Sequence, residues 1–258
     1  MHSQLARLLL FISLTGSSAG HCLCQPNEKN GNREVYLAAG THRSYFSHSD
    51  IRLKNPDFDF TLNNVRGKDD GGFNFRNGAP QYNYAIGYYN HAGNWGIEFG
   101  FDHVKYYVRQ NQRVQMHGRI GNKAYSSDTL LVPAFVQLEH SDGANYAFLK
   151  FLKRIPLAYK KNNALQLLFK GGAGPVIPKT NSTIMGKHRD DRYNIAGYVI
   201  ALETGIHYPI ARFLFAEAGI KGAYANYSKF LIADGTGSQK WFALHFYLLI
   251  GVKMPLRL

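Results

Sequence analysis

The chain of 258 residues has 26 glycines, 14% aromatic and only 18% charged residues, which is typical of β-structure in one large or two small domains. The formal net charge of +13 indicates an acidic partner such as nucleic acid, lipid phosphate or an anionic surface. The only two cysteines are Cys22 and Cys24, so the rest of the chain has neither a disulfide framework nor a thiolate metal site.

The first 24 residues have the layout of a secretory signal peptide. "MHSQLAR" carries a positive charge at Arg7, "LLLFISL" is a short apolar stretch and "TGSSAG" supplies small residues for cleavage. About seven apolar residues are too few for a helix that spans a bilayer. We expect residues 1–24 to be removed, by cleavage after Ala19 or after Cys24, leaving a domain of residues 25–258. Export counts against cytosolic nucleic acid as the partner of the basic charge.

A period-2 alternation of apolar and polar residues recurs along the chain and predicts β-strands. It is clearest in "WFALHFYLLIGV", where Phe242 and Leu244 lie on a wholly apolar face and His245 on the opposite one. Eight segments follow this pattern: 34–46, 80–90, 94–108, 144–157, 163–178, 193–208, 211–227 and 240–254.

The connections between these segments alternate in length. Short turns follow the even-numbered strands, whereas long connections follow the odd-numbered ones, at 47–79, 109–143, 179–192 and 228–239. Apolar outer faces, polar inner faces and this alternation are typical of membrane barrels. We therefore predict an all-β fold, an eight-stranded antiparallel up-and-down transmembrane β-barrel with short periplasmic turns and long external loops. A soluble eight-stranded barrel is the alternative.

Residues 128–140, "DTLLVPAFVQLEH", are strand-like but lie inside the second long connection. Either the hairpin of the third and fourth strands continues above the membrane, or the barrel has ten strands. We expect the protruding hairpin.

The segments "QYNYAIGYY", "WGIEFGFDHVKY" and "FKGGAGPVIPK", together with the signal peptide, resemble the small eight-stranded outer-membrane β-barrel proteins. The similarity is strongest to uncharacterised members of the outer-membrane protein beta-barrel family of Bacteroidota-type bacteria, and it covers the whole mature chain. It implies a location in the outer membrane of a Gram-negative cell envelope. The aromatic residue that usually ends such barrels is absent, because this chain ends "GVKMPLRL".

The first long connection contains "NPDFDFTLNN", which has the D-x-D-x-T spacing of a phosphotransferase nucleophile motif. That chemistry needs two carboxylates at the end of a buried strand, whereas a proline precedes the first aspartate here. Hard cations also bind clustered carboxylates. The connection therefore contains a candidate Ca²⁺ or Mg²⁺ site, the alternative being an exposed acidic loop; its residues are Asp57, Asp59, Asp69 and Asp70.

Ionisable residues on the predicted inner faces form a second set. They are Glu98, Asp102, Lys150, Arg154, Lys170, Glu203, His207, Glu217, Lys221 and His245, with His42 on the first strand. The interior of an eight-stranded barrel is just wide enough to be filled by side chains, and buried charges must be paired. We predict an ion-pair network that plugs the barrel; a narrow conduit or a small-ligand pocket is the alternative.

A third set is "LEHSDG", in which His140, Ser141 and Asp142 are adjacent. Lipid A deacylases of the outer membrane use a His/Ser/acid set on a barrel of this size, with His and Ser two residues apart. Neighbouring residues of a strand point to opposite faces, so His140 and Ser141 do not fit that arrangement.

Basic residues in the long connections, among them Arg66, Lys68 and Arg109, would lie where lipopolysaccharide phosphates are found; a solvated surface is the alternative. We predict a non-enzymatic integral outer-membrane protein without cofactor, structural or surface-binding through the loops at 47–79 and 109–143. Its expected partners are outer-membrane lipid, lipopolysaccharide and a surface ligand, with no nucleic acid, and it is expected to be a monomer. A lipid A deacylase-like hydrolase and a narrow selective channel are the alternative functions.

Overall fold

A computed structural model describes residues 33–69, 81–90, 94–157, 165–190 and 192–256. The predicted signal peptide and Asp70 lie outside these ranges. The described ranges contain seventeen β-strands: β1 (Arg33–Phe46), β2 (Ser49–Lys54), β3 (Phe58–Val65), β4 (Gly67–Lys68), β5 (Tyr82–Tyr89), β6 (Trp95–His103), β7 (Tyr106–Val108), β8 (Arg113–Ile120), β9 (Lys123–Leu130), β10 (Val136–His140), β11 (Ala144–Pro156), β12 (Gln166–Pro178), β13 (Asn181–Ile184), β14 (Lys187–Asp190), β15 (Gly197–Pro209), β16 (Leu214–Ile232) and β17 (Gly235–Leu256). Among the described residues, no helix is both long and apolar enough to cross a membrane.

Eight strands form a closed antiparallel ring in chain order, β1-β5-β6-β11-β12-β15-β16-β17. The ring closes because β17 pairs with β1 along the whole of β1, from Arg33 opposite Leu256 to Phe46 opposite Ala243. Each predicted segment coincides with one ring strand, with boundaries shifted by a few residues. The predicted eight-stranded, all-β, up-and-down fold is confirmed, and the ten-stranded alternative is wrong.

The barrel has its apolar side chains on the outside and its charged side chains on the inside. On the outer wall, Leu202 is 73% exposed and Phe242 66% exposed, whereas Glu98 and Lys170 in the interior are 1% and 3% exposed. This is the reverse of a water-soluble protein, and it is the arrangement of a barrel whose wall contacts lipid. The ring is therefore a transmembrane β-barrel.

The long connections fold into a second structure, which we call the crown: residues 49–69, 106–140 and 181–190 with the loop-side ends of β16 and β17. On one side the sheet continues from β17 through β2, β3, β8 and β9, and on the other β14, β13, β10, β7 and β4 form a five-stranded sheet. Residues of both sheets share one buried apolar cluster, which includes Ile51, Phe60, Leu138, Tyr227 and Trp241. The described part of the connection at 47–79, for which an exposed acidic loop was the alternative, is thus mostly paired β-strand.

The predicted protruding hairpin is present only in part. β7 and β10 continue the β6–β11 pair for two residues each, with Tyr106 opposite His140 and Tyr107 opposite Glu139. Residues 113–130 do not extend it further, because they form their own hairpin, β8–β9, which pairs with β3. Through that pairing Met116 is buried in the apolar cluster that the two crown sheets share, whereas a free hairpin would leave it in water.

Candidate functional site

The structure places all ten ionisable residues of the predicted network, and His42, inside the barrel as buried side chains. Lys170 lies between two carboxylates, with its Nζ 2.7 Å from Glu98 Oε2 and 2.9 Å from Glu217 Oε2. Lys150 Nζ is 3.0 Å from Glu98 Oε1 and 2.7 Å from Glu203 Oε1. Each of these buried lysines and carboxylates therefore has an opposite charge in contact, which burial requires.

The network joins strands that are far apart in the ring. Glu98 is on the third ring strand, while Lys170 and Glu217 are on the fifth and seventh. Such contacts cross the interior, so the paired side chains occupy the space through which a conduit would pass. An eight-stranded barrel has room for side chains there and little else.

Towards the end of the barrel that carries both described termini, Arg154 closes the interior. Its guanidinium pairs with Glu34, lies 3.4 Å from the ring centroid of Tyr89, and is 3% exposed. The Tyr36 hydroxyl donates to Glu98 Oε2 at 2.6 Å. Glu34 and Tyr36 were missed by sequence reasoning, although they share the period-2 spacing of His42 on the same strand.

Towards the crown, the interior contains two histidines, His42 and His245, whose rings lie edge to face with centroids 5.4 Å apart. Ser44 Oγ lies 2.8 Å from His245 Nδ1, which is a serine–histidine contact that sequence reasoning also missed. His245 Nε2 has no hydrogen-bond partner among the described residues. Nucleophilic triads need a third group that orients the histidine, and the described residues supply none at this nitrogen.

The four aspartates of the candidate cation site are not brought together by the described chain. Asp57 pairs with Lys187 at 3.2 Å, Asp69 accepts the Ser44 amide at 2.9 Å, and Asp70 lies outside the described residues. Asp59 accepts two hydrogen bonds of 2.9 Å from Arg52, and these hydrogen bonds lower the pKa of Asp59. Among the described residues, no group of three or more His, Cys, Asp or Glu side chains could hold a metal ion.

His140 and Ser141 point to different surroundings, as strand geometry predicts. His140 is fully buried in the crown among aromatic rings, stacked on Tyr227 with centroids 5.4 Å apart, and its Nδ1 is 3.0 Å from Thr180 Oγ1. Burial lowers the pKa of His140 to about 3. Ser141 instead donates to Glu139 at 3.1 Å. The two side chains do not form a hydrolase pair.

The outer face of the five-stranded crown sheet has a basic patch, Arg66, Lys68 and Arg109. The Arg109 amide donates to the Arg66 carbonyl at 3.0 Å, which places the two arginines opposite each other, and Gln112 donates to both of their carbonyls. All three cations are exposed, and within the described part of the chain none has an ion-pair partner. Like charges directly opposite each other in a sheet are destabilising.

No protein-family model and no curated protein matches the chain. Among solved structures, it is similar to Neisserial surface protein A at 9% identity, covering 86% of this chain and 97% of the other with a TM-score of 0.35. It is also similar to OprG from Pseudomonas aeruginosa (11% identity, 88% and 98% covered, TM-score 0.39) and to Ail of Yersinia pestis (13%, 84% and 99%, TM-score 0.31). At this level of similarity no function transfers, so the function depends on this chain's own residues.

Proposed function

We propose that this protein is a non-enzymatic, non-conducting integral protein of a bacterial outer membrane that binds an acidic surface ligand through its crown. The observation that supports this most directly is the filled interior. Paired charges on strands of opposite walls occupy the barrel, and Arg154 closes its end. The accessible polar surface that is left for a ligand is therefore on the crown.

The alternative of a selective channel is tested by planar-bilayer recording. We expect no unitary conductance from the wild-type protein. The double substitution Glu98→Ala/Lys170→Ala removes one central ion pair and creates space in the barrel interior. Conductance by this variant would show that the protein inserts into the bilayer under the recording conditions. Wild-type openings with defined ion selectivity would reject the non-conducting function.

The hydrolase alternative is tested at the contact between Ser44 and His245 inside the barrel. Ser44→Ala and His245→Ala should leave the acylation pattern of lipid A unchanged when expressed in cells. His140→Ala and Ser141→Ala provide the same test for the crown residues. A change in acylation in any of these strains, with the barrel still inserted, would establish an enzyme.

The ligand class follows from the basic patch. Arg66, Lys68 and Arg109 project from one face without carboxylate partners in the described chain, and arginine binds phosphate by two parallel hydrogen bonds. The repulsion between Arg66 and Arg109 would be relieved by an anion between them. We therefore assign the patch to a phosphorylated saccharide, such as that of lipopolysaccharide.

Binding of detergent-solubilised protein to immobilised lipopolysaccharide tests this assignment. Arg66→Gln/Arg109→Gln should weaken binding roughly tenfold or more and reduce its dependence on salt, because two phosphate contacts are lost. Arg119→Gln/Lys123→Gln removes the same charge from the β8–β9 hairpin and is the matched control. Equal weakening by both pairs would mean that only net charge matters, and would refute the patch as a site.

A further inference from the structure

Two grooves on the outer surface of the described chain join into one. The upper groove, about 690 Å³, is polar, and the lower one, about 700 Å³, is apolar and runs down the barrel wall. Ser47, Tyr224 and Phe242 line both of them. We call the joined feature the lateral groove; the residues that matter for its chemistry are Arg52, Lys240, Tyr224, Phe242, Leu202 and Gly222.

The apolar half exists because Gly222 leaves a gap in the wall. Gly222 faces outward between Leu202 on β15 and Leu244 on β17, which lie opposite it in the sheet. A Cβ added to Gly222 would meet no atom within 4 Å, and its backbone is not among those with a left-handed φ. Glycine in a strand interior weakens the strand, so the fold does not account for this residue. The effect of Gly222 is to keep an apolar groove open on the lipid-facing surface of the wall.

The side chains that line the polar half are of the kinds that bind the phosphate and the hydroxyl groups of a ligand. Lys240 is exposed and forms no ion pair with any described residue, and Arg52 supplies a second cation that is shared with Asp59. Hydroxyl and amide side chains, among them Ser228 and Asn64, complete the lining together with one carboxylate, Asp50.

The dimensions fit an amphiphile that lies along the wall. The lower groove ends at Gly222 on β16, and a further apolar groove of about 660 Å³, which shares Leu202, Gly222 and Leu244 with it, continues down to Ile220. From Tyr224 down to Ile220 the strand covers about 13 Å, since a strand rises about 3.3 Å per residue. One leaflet of the hydrocarbon core is about 15 Å deep. A separate apolar groove, about 620 Å³ around Ala39 and Tyr84, shares no lining residue with the polar groove. The lateral groove differs from it in joining an apolar half to a polar half.

We propose that the lateral groove binds one phosphorylated lipid of the loop-side leaflet, with an acyl chain over Gly222 and the phosphate at Lys240. This rests on the membrane location proposed above and names a lipid site that is separate from the basic patch. The acyl chain contributes apolar contact with Leu202 and Leu244, and Lys240 neutralises the phosphate.

Native mass spectrometry of the full chain, purified in an uncharged maltoside detergent, tests the site with phosphatidylglycerol as the probe. Gly222→Leu puts a side chain into the gap, where an added Cβ has open space, and should reduce the bound fraction roughly tenfold. Ala218→Leu adds the same side chain to the outer face of the same strand, outside the groove, and should bind as the wild type does. Lys240→Gln should abolish the preference for phosphatidylglycerol over uncharged diacylglycerol, whereas Lys229→Gln should retain it.

The outcomes separate this site from the proposed function. Heat-dependent gel mobility and flotation with liposomes report membrane insertion for every variant. If the wild type fails to insert, the membrane function is wrong and the lipid site falls with it. If it inserts and Gly222→Leu still binds phosphatidylglycerol as the wild type does, the lateral groove is not the site. Equal competition by glycerol phosphate would identify a free-anion site and would also overturn the lipid proposal.

Discussion

Asp102 and Lys221 meet inside the barrel although 119 residues separate them, with Lys221 Nζ 2.6 Å from Asp102 Oδ2. They are on the third and seventh strands of a ring of eight, so the contact ties opposite walls together. Both side chains are 3% exposed. Substitution of this pair therefore measures how much a buried ion pair of the interior contributes to the stability of the barrel.

Lys221→Met should destabilise the barrel by about 3–5 kcal/mol, because it leaves the Asp102 carboxylate buried without its cation. Urea unfolding in lipid vesicles, followed by heat-dependent gel mobility, measures the change. The double substitution Lys221→Met/Asp102→Asn should recover most of the loss. If the single and double variants are equally unstable, the loss comes from packing and the ion pair is not its cause.

Acidification should loosen the crown through His140. Burial lowers the pKa of His140 to about 3, whereas an unfolded histidine has a pKa of about 6.5. Below pH 6.5 the opened crown binds a proton that the closed crown excludes, so stability is complete above that pH and falls by about 1.4 kcal/mol per pH unit down to about 3.

Trp241 reports this opening, because it is buried and stacks on Tyr106 with ring centroids 4.5 Å apart. In a Trp95→Phe background Trp241 is the only tryptophan left. Its fluorescence should shift to the red on acidification, and His140→Phe should remove the part of the transition that lies between pH 6.5 and 3. An unchanged transition in His140→Phe would assign it to other groups.

Gly118→Ala should open the crown while leaving the barrel inserted. Gly118 has a φ of +138°, and an added Cβ would lie 2.5 Å from the Phe60 Cα on the neighbouring strand. Strain of this kind costs roughly 1–3 kcal/mol. Limited proteolysis should cut the variant in the crown faster than the wild type. Gly121→Asn is the control, since Gly121 has a φ of +57° with open space around it, and asparagine tolerates that conformation.

The lipid-facing wall should respond to charge according to depth. Leu248→Arg, near the middle of the apolar part of β17, should cost about 2–4 kcal/mol of folding free energy in vesicles, whereas a charge near the interface costs about 0–1 kcal/mol. Met254→Arg, close to the end of the same strand, provides the interfacial comparison. Both side chains are exposed on the wall, at 51% and 66%. Equal costs at both positions would contradict a wall that spans the bilayer.

Much of the barrel could be predicted because each ring strand follows its own alternation. Phe246 and Leu248 face outward and His245 and Tyr247 face inward, as the period-2 pattern requires. The pattern also selected the ionisable residues that are buried inside. It could not tell which partner each one contacts, since Lys221 reaches Asp102 only after the ring has closed.

The crown was the part that sequence reasoning underestimated. Phe58, Phe60 and Leu62 alternate with Asp59 and Thr61, so the D-x-D-x-T spacing includes the solvent-facing side of a strand whose other side is core. The alternation was present in the sequence, but the charged outer faces resembled those of a loop. Whether such a segment is paired depends on β2 and β8, which lie far from each other in the chain.

The sequence by itself determined the strand count, the inside-out orientation of the barrel and the identity of its buried charges, because these depend on local alternation alone. Only the tertiary structure decided which charges pair, that the long connections form a crown with its own core, and that Gly222 leaves a groove on the wall. Each of these depends on residues from separate strands meeting at one place, and the one-dimensional pattern holds no information about that register.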